Sequence, residues 1–193
     1  MNKYHRRSIR LNHYDYSQPG SYFITICTHD KSPLFGGITN GEMVLNDLGK
    51  MVEKCILDIP VHFPDVELDK WVIMPNHVHM IIVIYPNEND KPFIHELPLR
   101  DIKSRRKMLL PKIIGRFKMN CSKQINILQN TPGQSIWQRS YYEHIIRNEN
   151  ELNKIRRYII NNPPQWDYDE ENRNGLPIDE KKAFWSKFLN EFE

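Results

Sequence analysis

Two histidines two residues apart, His77 and His79, are the side chains of this chain with the clearest capacity for chemistry. They begin the apolar segment 77–84 (HVHMIIVI), which has the length and composition of a buried strand. On a strand, side chains two positions apart leave the same face about 6.6 Å apart, so both imidazoles can bind one metal ion. The same pair could instead lie half-exposed at the strand end and bond backbone or water. The spacing alone leaves both interpretations open.

A tyrosine and an asparagine one helical turn apart form a second candidate. Tyr158 and Asn162 belong to segment 149–162, whose apolar residues recur at helical spacing, so the two share one face. A tyrosine hydroxyl can act as a nucleophile, and an amide oxygen can bind a metal ion. Equally, Tyr158 could cover the edge of the core, and Asn162 could belong to a helix end before Pro163. Taken alone, the segment favours this structural interpretation.

A third group lies in segment 135–147, which is rich in aromatic and β-branched residues and predicts a strand. Alternation places Tyr142 and His144 on one strand face and Tyr141 on the other. His144 could be a structural residue, a hydrogen-bonding partner behind a metal ligand, or a third ligand. The first two roles are favoured over the third.

The elements that must position these side chains follow a recognisable order. Strands are predicted at 21–28, 66–74, 77–84 and 135–147, with helices at 47–60, 110–125 and 149–162. Strand-helix-strand-strand-helix-strand is the ferredoxin-like order, here with one more helix. We therefore predict an α+β fold: a ferredoxin-like antiparallel sheet with helices on one face and a C-terminal helical extension. Residues 1–166 form the predicted domain, and 167–193 an acidic tail with a short helix at 180–192.

The composition excludes several classes of protein. A chain of 193 residues, 26% of them charged, fits one globular domain. Its longest apolar run, 80–84, is too short to cross a bilayer, and no apolar segment of a secretory signal follows the basic N-terminus. Three widely spaced cysteines favour neither a disulfide framework nor a cysteine-built zinc site. A cytoplasmic protein without a membrane partner is expected.

The net charge of +3 conceals an uneven distribution. Residues 1–14 hold four basic and no acidic side chains, and residues 100–123 hold nine basic side chains against Asp101. The segment from Asp167 onward carries eight acidic and four basic side chains. Two basic blocks indicate a phosphate-rich partner such as a nucleic acid, although a solvated surface would look the same.

Three ordered segments resemble the single-tyrosine HUH transposases, and among them the REP-associated tyrosine transposases of bacteria. They are 71–79 (WVIMPNHVH), 137–147 (WQRSYYEHIIR) and 158–163 (YIINNP). The openings 6–11 (RRSIRL) and 22–28 (YFITICT) are also similar. The resemblance spans roughly residues 6–166 and implies that residues 1–166 are an HUH single-tyrosine transposase domain with a basic N-terminal arm.

The resemblance implies a specific site. His77 and His79 match the histidine pair that holds Mg²⁺ or Mn²⁺, and Tyr158 matches the nucleophile that forms a 5′-phosphotyrosine. Related transposases complete the metal site with a glutamine, where this sequence has the shorter Asn162, so the third ligand stays open. Tyr141 and Tyr142 are rival tyrosines, but their strand position does not match a nucleophile on a helix.

The resemblance implies that the substrate is single-stranded or hairpin DNA. It also implies that the protein is a transposase and endonuclease that cleaves and rejoins this DNA, as a monomer or a homodimer. Basic side chains of both blocks are the predicted DNA contacts: Arg6, Arg7, Arg10, Arg105, Arg106, Lys112, Arg116, Lys118 and Lys123. The acidic tail could compete for this surface. Two alternatives remain: a hairpin-binding protein derived from a transposase that no longer cleaves, and a histidine-based hydrolase that uses a bound water.

Overall fold

A computed structural model describes residues 14–86 and 107–190. In chain order the elements are β1 (Gly20–Cys27), β2 (Gly36–Thr39), β3 (Glu42–Leu45), α1 (Asp47–His62), β4 (Val66–Met74), β5 (His77–Ile84), α2 (Leu109–Gln129), β6 (Tyr142–Ile146), α3 (Glu149–Asn161), a 3-10 helix (Pro163–Tyr168) and α4 (Ile178–Asn190). No helix within these ranges has both the length and the apolar composition needed to span a membrane.

Four strands form one antiparallel sheet in the order β4-β5-β1-β6. Each outer strand pairs with the strand that the ferredoxin-like order requires, so the predicted α+β class and antiparallel sheet are confirmed. β5 and β1 are the two central strands, and their register places Thr25 opposite His79 and Cys27 opposite His77. The histidine pair therefore begins a strand with a neighbour on either side.

The two faces of the sheet are covered by different helices. Helices α1 and α2 pack on one face, where Ile24, Val78 and Met80 belong to the main core. Helix α3 packs on the other face, where Phe23, Ile81 and Ile159 form a smaller apolar cluster. Consecutive strand residues alternate between the faces, and both sets contain apolar residues, so both faces can bury a helix. The prediction of helices on one face thus describes α1 and α2, while α3 lies on the opposite face.

The predicted helix ends are largely observed. Asn46 and Asn148 cap α1 and α3, because their side-chain oxygens accept hydrogen bonds from the backbone of Gly49 and Glu151. Pro60 does not end α1 as predicted, since the helix continues to His62. A proline so close to the end removes a single backbone hydrogen bond, and the remaining turn closes through Phe63 and Ile59.

Two regions differ from the predicted strands. Segment 36–45, where the sequence predicts no strand, forms the β2–β3 hairpin. The strand predicted at 135–147 is reduced to β6, and Trp137 makes only an isolated bridge to Thr28. The Lys118 ammonium group donates hydrogen bonds to the backbone carbonyls of Gln138 and Arg139. These carbonyls are therefore engaged outside a strand ladder.

Candidate functional site

His77 and His79 leave β5 on the face that α3 covers, and both are buried, with 0% and 2% of their surface exposed. Their Nε2 atoms lie 2.9 Å apart. Strand alternation brings the two side chains to one side, and burial under α3 excludes water from around them. The structure therefore places the predicted histidine pair as two converging imidazoles, not as half-exposed side chains.

Asn76 fixes the protonation pattern of His77. The Asn76 amide nitrogen donates to the backbone carbonyls of Lys31 and Glu171, at 3.0 and 2.9 Å, so its side-chain oxygen is an acceptor. His77 Nδ1 lies 2.8 Å from that oxygen and must carry the proton. Chiefly because of burial, the pKa of His77 falls to about 3, so the ring is neutral. Its Nε2 therefore presents a lone pair.

Asp169 supplies a third ligand atom beside the two imidazoles. Its Oδ2 lies 3.8 Å from His77 Nε2 and 3.6 Å from His79 Nε2, and its side chain is completely buried. Burial by itself raises the pKa of Asp169, but the two histidines and the Asn162 amide outweigh it and hold that pKa well below its usual range. A buried carboxylate is thus kept ionised against the histidine pair.

These three groups fit a small divalent cation. Separations of 2.9, 3.6 and 3.8 Å allow one point about 2.0–2.1 Å from all three atoms, which is within the range of bonds from small divalent cations to nitrogen and oxygen ligands. His79 Nδ1 lies 2.9 Å from the Thr25 hydroxyl, which can accept its proton and so orient that ring as Asn76 orients His77. Lone pairs and a negative charge that converge in a buried space have the donor set of a metal site.

Tyr158 reaches the same point from α3. Its hydroxyl donates to Asp169 Oδ2 at 3.2 Å and lies 3.3 Å from His79 Nε2. Burial first, and then the Asp169 carboxylate, raise the pKa of Tyr158 well above its ordinary value. Trp185 of α4 packs edge-on against the Tyr158 ring, with centroids 4.6 Å apart. The tyrosine is therefore a protonated hydroxyl held directly beside the three ligand atoms.

Asn162 contacts this group through its amide nitrogen. The nitrogen donates to Asp169 Oδ2 at 2.8 Å, and the buried amide oxygen has no hydrogen-bond partner among the described residues. Asn162, the candidate third ligand from the sequence, thus points its amide N–H at Asp169. The Asp169 carboxylate oxygen in turn lies beside the two histidines. The amide holds the carboxylate in place.

A cavity of about 450 Å³ opens beside Tyr158 and His79. His144 lines it and bonds Glu151 at 2.6 Å, so this histidine pairs with a carboxylate of α3. Of the rival tyrosines, Tyr142 lines the cavity and is 47% exposed. Tyr141 packs against the core on the α1 and α2 side. Only Tyr158 has its hydroxyl hydrogen-bonded to Asp169 among the described contacts.

Comparisons with known proteins found sequence relatives of this chain. No protein-family model matches. An uncharacterized protein of Haemophilus influenzae is 45% identical over 170 residues, which cover 86% of this chain and 93% of that protein. A second Haemophilus influenzae protein, described as a "Putative REP-associated tyrosine transposase", is 25% identical over 156 residues, covering 81% of this chain and 77% of that one. The predicted resemblance to the REP-associated tyrosine transposases is thus confirmed by this second relative.

Two solved structures are also similar. One, a REP-associated tyrosine transposase bound to a REP hairpin, has a TM-score of 0.47 and 23% identity over 86% of this chain and 74% of that one. The other, from Deinococcus radiodurans and described as a "putative transposase", has a TM-score of 0.44 and 15% identity over 80% of this chain and 97% of that one.

The predicted DNA-contacting side chains that lie on α2 do not adjoin Tyr158. Lys112, Arg116 and Lys123 are exposed on α2, and the buried side of α2 packs on the sheet face opposite α3. Lys118 instead holds two backbone carbonyls. The others, Arg6, Arg7, Arg10, Arg105 and Arg106, lie outside the described residues.

Two residues of the site were missed from the sequence. Asn76 lies between two predicted strands, and it bonds His77 and two distant carbonyls. Asp169 is one of eight acidic residues in a segment predicted to be a tail, and no spacing distinguishes it from the others. The 3-10 helix after Pro163 turns the chain back so that Asp169 reaches the site. The predicted division at 166/167 falls within that helix and stays a prediction.

Proposed function

We propose that this chain cleaves and rejoins single-stranded DNA through a covalent bond between Tyr158 and a 5′-phosphate. The observation that supports it most directly is the position of the Tyr158 hydroxyl, 3.3 Å from His79 Nε2 and 3.2 Å from Asp169 Oδ2. A nucleophile and a buried set of metal ligands that share one point are what phosphoryl transfer by a tyrosine requires.

His77, His79 and Asp169 are the residues we propose to hold Mg²⁺ or Mn²⁺. A bound divalent cation would supply positive charge beside both the tyrosine oxygen and a phosphoryl oxygen. Asn162 serves in this proposal as the donor that orients Asp169, and Asn76 and Thr25 orient the imidazoles. The Asp169 carboxylate is a type of ligand that suits both Mn²⁺ and Mg²⁺.

The chain's own residues account for the course of the reaction. Tyr158 Oη attacks phosphorus and the bond from phosphorus to the 3′ oxygen breaks. That oxygen leaves as a 3′-hydroxyl by taking up one proton, which balances the proton that the tyrosine loses. The attacking hydroxyl loses its proton in the direction of Asp169 Oδ2, to which it is already hydrogen-bonded. One phosphodiester is exchanged for another, so a second 3′-hydroxyl can reverse the step and join the strands.

The proposed substrate is DNA that carries a hairpin beside the cleaved strand, as the resemblance and the three ordered motifs imply. The cavity beside Tyr158 adjoins the reacting position and is open at the surface, which suits an unpaired strand better than a rigid duplex.

The decisive experiment is a covalent adduct assay with Mn²⁺ and stem-loop DNA drawn from the regions that flank the gene. We expect an adduct that resists denaturation with the wild-type chain and with Tyr142→Phe, and none with Tyr158→Phe. Tyr142 is the matched control because it lines the same cavity.

Three outcomes would count against the proposal. Loss of the adduct in Tyr142→Phe but not in Tyr158→Phe would exclude Tyr158 as the nucleophile. Hairpin binding in EDTA without cleavage under any metal would favour the binding protein. Cleavage that leaves no DNA on the protein would favour the hydrolase that uses water.

A further inference from the structure

The cavity beside Tyr158 extends away from the reacting position. Its floor is formed by β1 and β6, where Thr25 pairs with Tyr142 and Phe23 pairs with His144. Helix α3 forms one wall, and Trp185 of α4 closes another. Since Glu151 precedes Tyr158 by seven residues, the two lie about 10 Å apart along the helix axis. A group attached to a phosphate at Tyr158 would therefore enter the cavity.

Aromatic rings line the cavity on several sides. Phe23 stacks on His79 at a centroid distance of 5.3 Å and meets Tyr142 and Tyr158 edge-on at 6.3 and 6.0 Å. Tyr142 stands 47% exposed on the edge strand β6, where its ring is accessible without rearrangement. Flat apolar walls of this kind accept another flat ring, because stacking gains contact area on both faces.

The charges around the cavity argue against a phosphate inside it. Glu151, Glu170 and Glu171 contribute carboxylates, of which Glu171 is paired with Lys31, while Lys154 is the one lysine of the lining. Burial works to raise the pKa of Glu151, but the backbone of Arg147 and the His144 ring outweigh it and lower that pKa, so this carboxylate is ionised. Because acidic groups outnumber basic ones, an uncharged ring is favoured here and the phosphate stays at the histidines.

The far end of the cavity has a fixed polar group. Glu151 accepts hydrogen bonds from His144 Nε2 at 2.6 Å and from the Arg147 backbone at 2.7 Å, so the carboxylate orients the imidazole. With Nε2 bonded to Glu151, the other ring nitrogen, Nδ1, is held in a fixed orientation. An oriented polar atom at the end of an aromatic slot can meet the hydrogen-bonding edge of a base.

We infer that this cavity binds the nucleobase next to the phosphate that Tyr158 attacks, with Tyr142 stacking on the base and His144 contacting its edge. The inference rests on the proposed DNA substrate and adds a subsite to it. It makes Tyr142 and His144 residues that determine which nucleotide is accepted beside the cleavage position.

The test uses nuclear magnetic resonance of the full chain, titrated with each of the four 2′-deoxynucleosides and, separately, with deoxyribose 5-phosphate, which lacks a base. We expect saturable shifts of the Trp185 indole and His144 ring signals with at least one nucleoside and none with the sugar phosphate. Tyr142→Ala should weaken nucleoside binding about fivefold or more, the loss typical of one stacking ring. Tyr85→Ala, which removes a tyrosine of similar exposure outside the cavity, should leave binding unchanged.

The inference is overturned if no nucleoside shifts these signals, if the sugar phosphate shifts them equally, or if the two tyrosine variants weaken binding alike. The experiment needs no cleavage, so its result is independent of the adduct assay. An adduct without nucleoside binding would leave the proposed function standing and remove the subsite. Nucleoside binding without an adduct would show that the cavity binds a base and would remove the proposed cleavage.

Discussion

The two faces of the central sheet are made from alternate residues of the same strands, yet they differ in what they bury. On the face covered by α1 and α2, Ile24 and Met80 are fully buried in an apolar core. On the face covered by α3, their neighbours Thr25 and His79 are nearly as deeply buried but are hydrogen-bonded to each other. One face buries mainly apolar side chains, and the other buries polar side chains that are hydrogen-bonded to each other.

This difference separates stability from chemistry within a single strand. Burying an apolar side chain stabilises the fold directly, whereas burying an imidazole or carboxylate costs free energy unless partners compensate. The chain tolerates the polar group at Asp169 because the large apolar core lies on the other side of the sheet. Substitutions on the two faces should therefore act on different measurements.

The largest expected effect is on stability, from the apolar face. Ile24→Ala should lower the free energy of unfolding by about 2–5 kcal/mol, because it leaves a cavity in a fully buried site. Urea denaturation measures this, and Ile160→Ala, at a position 58% exposed on α3, is the control that should change little. Manganese affinity of the folded protein should stay the same. A change in manganese affinity in Ile24→Ala, or a loss of unfolding free energy below about 1 kcal/mol, would contradict this division of stability and metal binding between the two faces.

The next effect is on metal affinity, from the polar face. Asp169→Asn should weaken Mn²⁺ binding by at least about tenfold to a hundredfold, the range seen when even an indirect partner of a ligand is removed. Calorimetry or the Mn²⁺ spin-resonance signal measures it. Asp167→Asn, an exposed acid two residues earlier, controls for charge and should have little effect.

A comparison with Asn162→Ala decides between the two possible third ligands. This variant should weaken Mn²⁺ binding less than Asp169→Asn, because Asn162 reaches the site through its hydrogen bond to Asp169. The reverse order would make the asparagine the ligand, as the sequence alone predicted.

The histidine pair and the placement of Tyr158 on a helix could be predicted because each depends on local spacing and on a resemblance carried by neighbouring residues. The position of α3 was also implicit in the sequence. His77, His79 and Ile81 alternate with the apolar residues of the main core, so a helix that carries a partner for the histidines must pack on their face. The one-sided arrangement of all helices could have been excluded on that ground.

Asp169 could not be predicted in the same way. Its contact with the histidines spans about ninety residues and depends on the turn after Pro163, and no periodic pattern records such a turn. The β2–β3 hairpin was missed for a different reason: its strands are four residues each and half-exposed, which leaves little apolar signal. Short elements and single long-range contacts are where local patterns carry least information.

A smaller expected effect is the pH dependence of stability that comes from His77, a residue of the polar face. The folded pKa of His77, about 3, lies below its ordinary 6.5, so the unfolded chain binds a proton that the folded chain does not. Stability should therefore fall as pH falls below about 6.5, by at most about 1.4 kcal/mol per pH unit from this residue. Asp169 adds its own loss only below its ordinary pKa of 3.8.

Urea denaturation of the metal-free protein between about pH 7 and 5 measures this slope. His77→Gln should flatten it, and His62→Gln, at an exposed position at the end of α1, should not. Equal slopes in the wild type and His77→Gln would mean that His77 is not the group that resists protonation.

The smallest expected effect tests whether the basic helix belongs to the site. Lys112 and Arg116 lie on α2, across the sheet from Tyr158, so they can contact the flank of a hairpin but not the phosphate under attack. Replacing both by alanine should lower the salt dependence of hairpin binding by about two phosphate contacts and leave the adduct rate at saturating DNA unchanged. Replacing Lys50 and Lys54 of α1 removes the same charge elsewhere on that side. If both pairs lowered the salt dependence equally, the basic block would act through net charge and not through position.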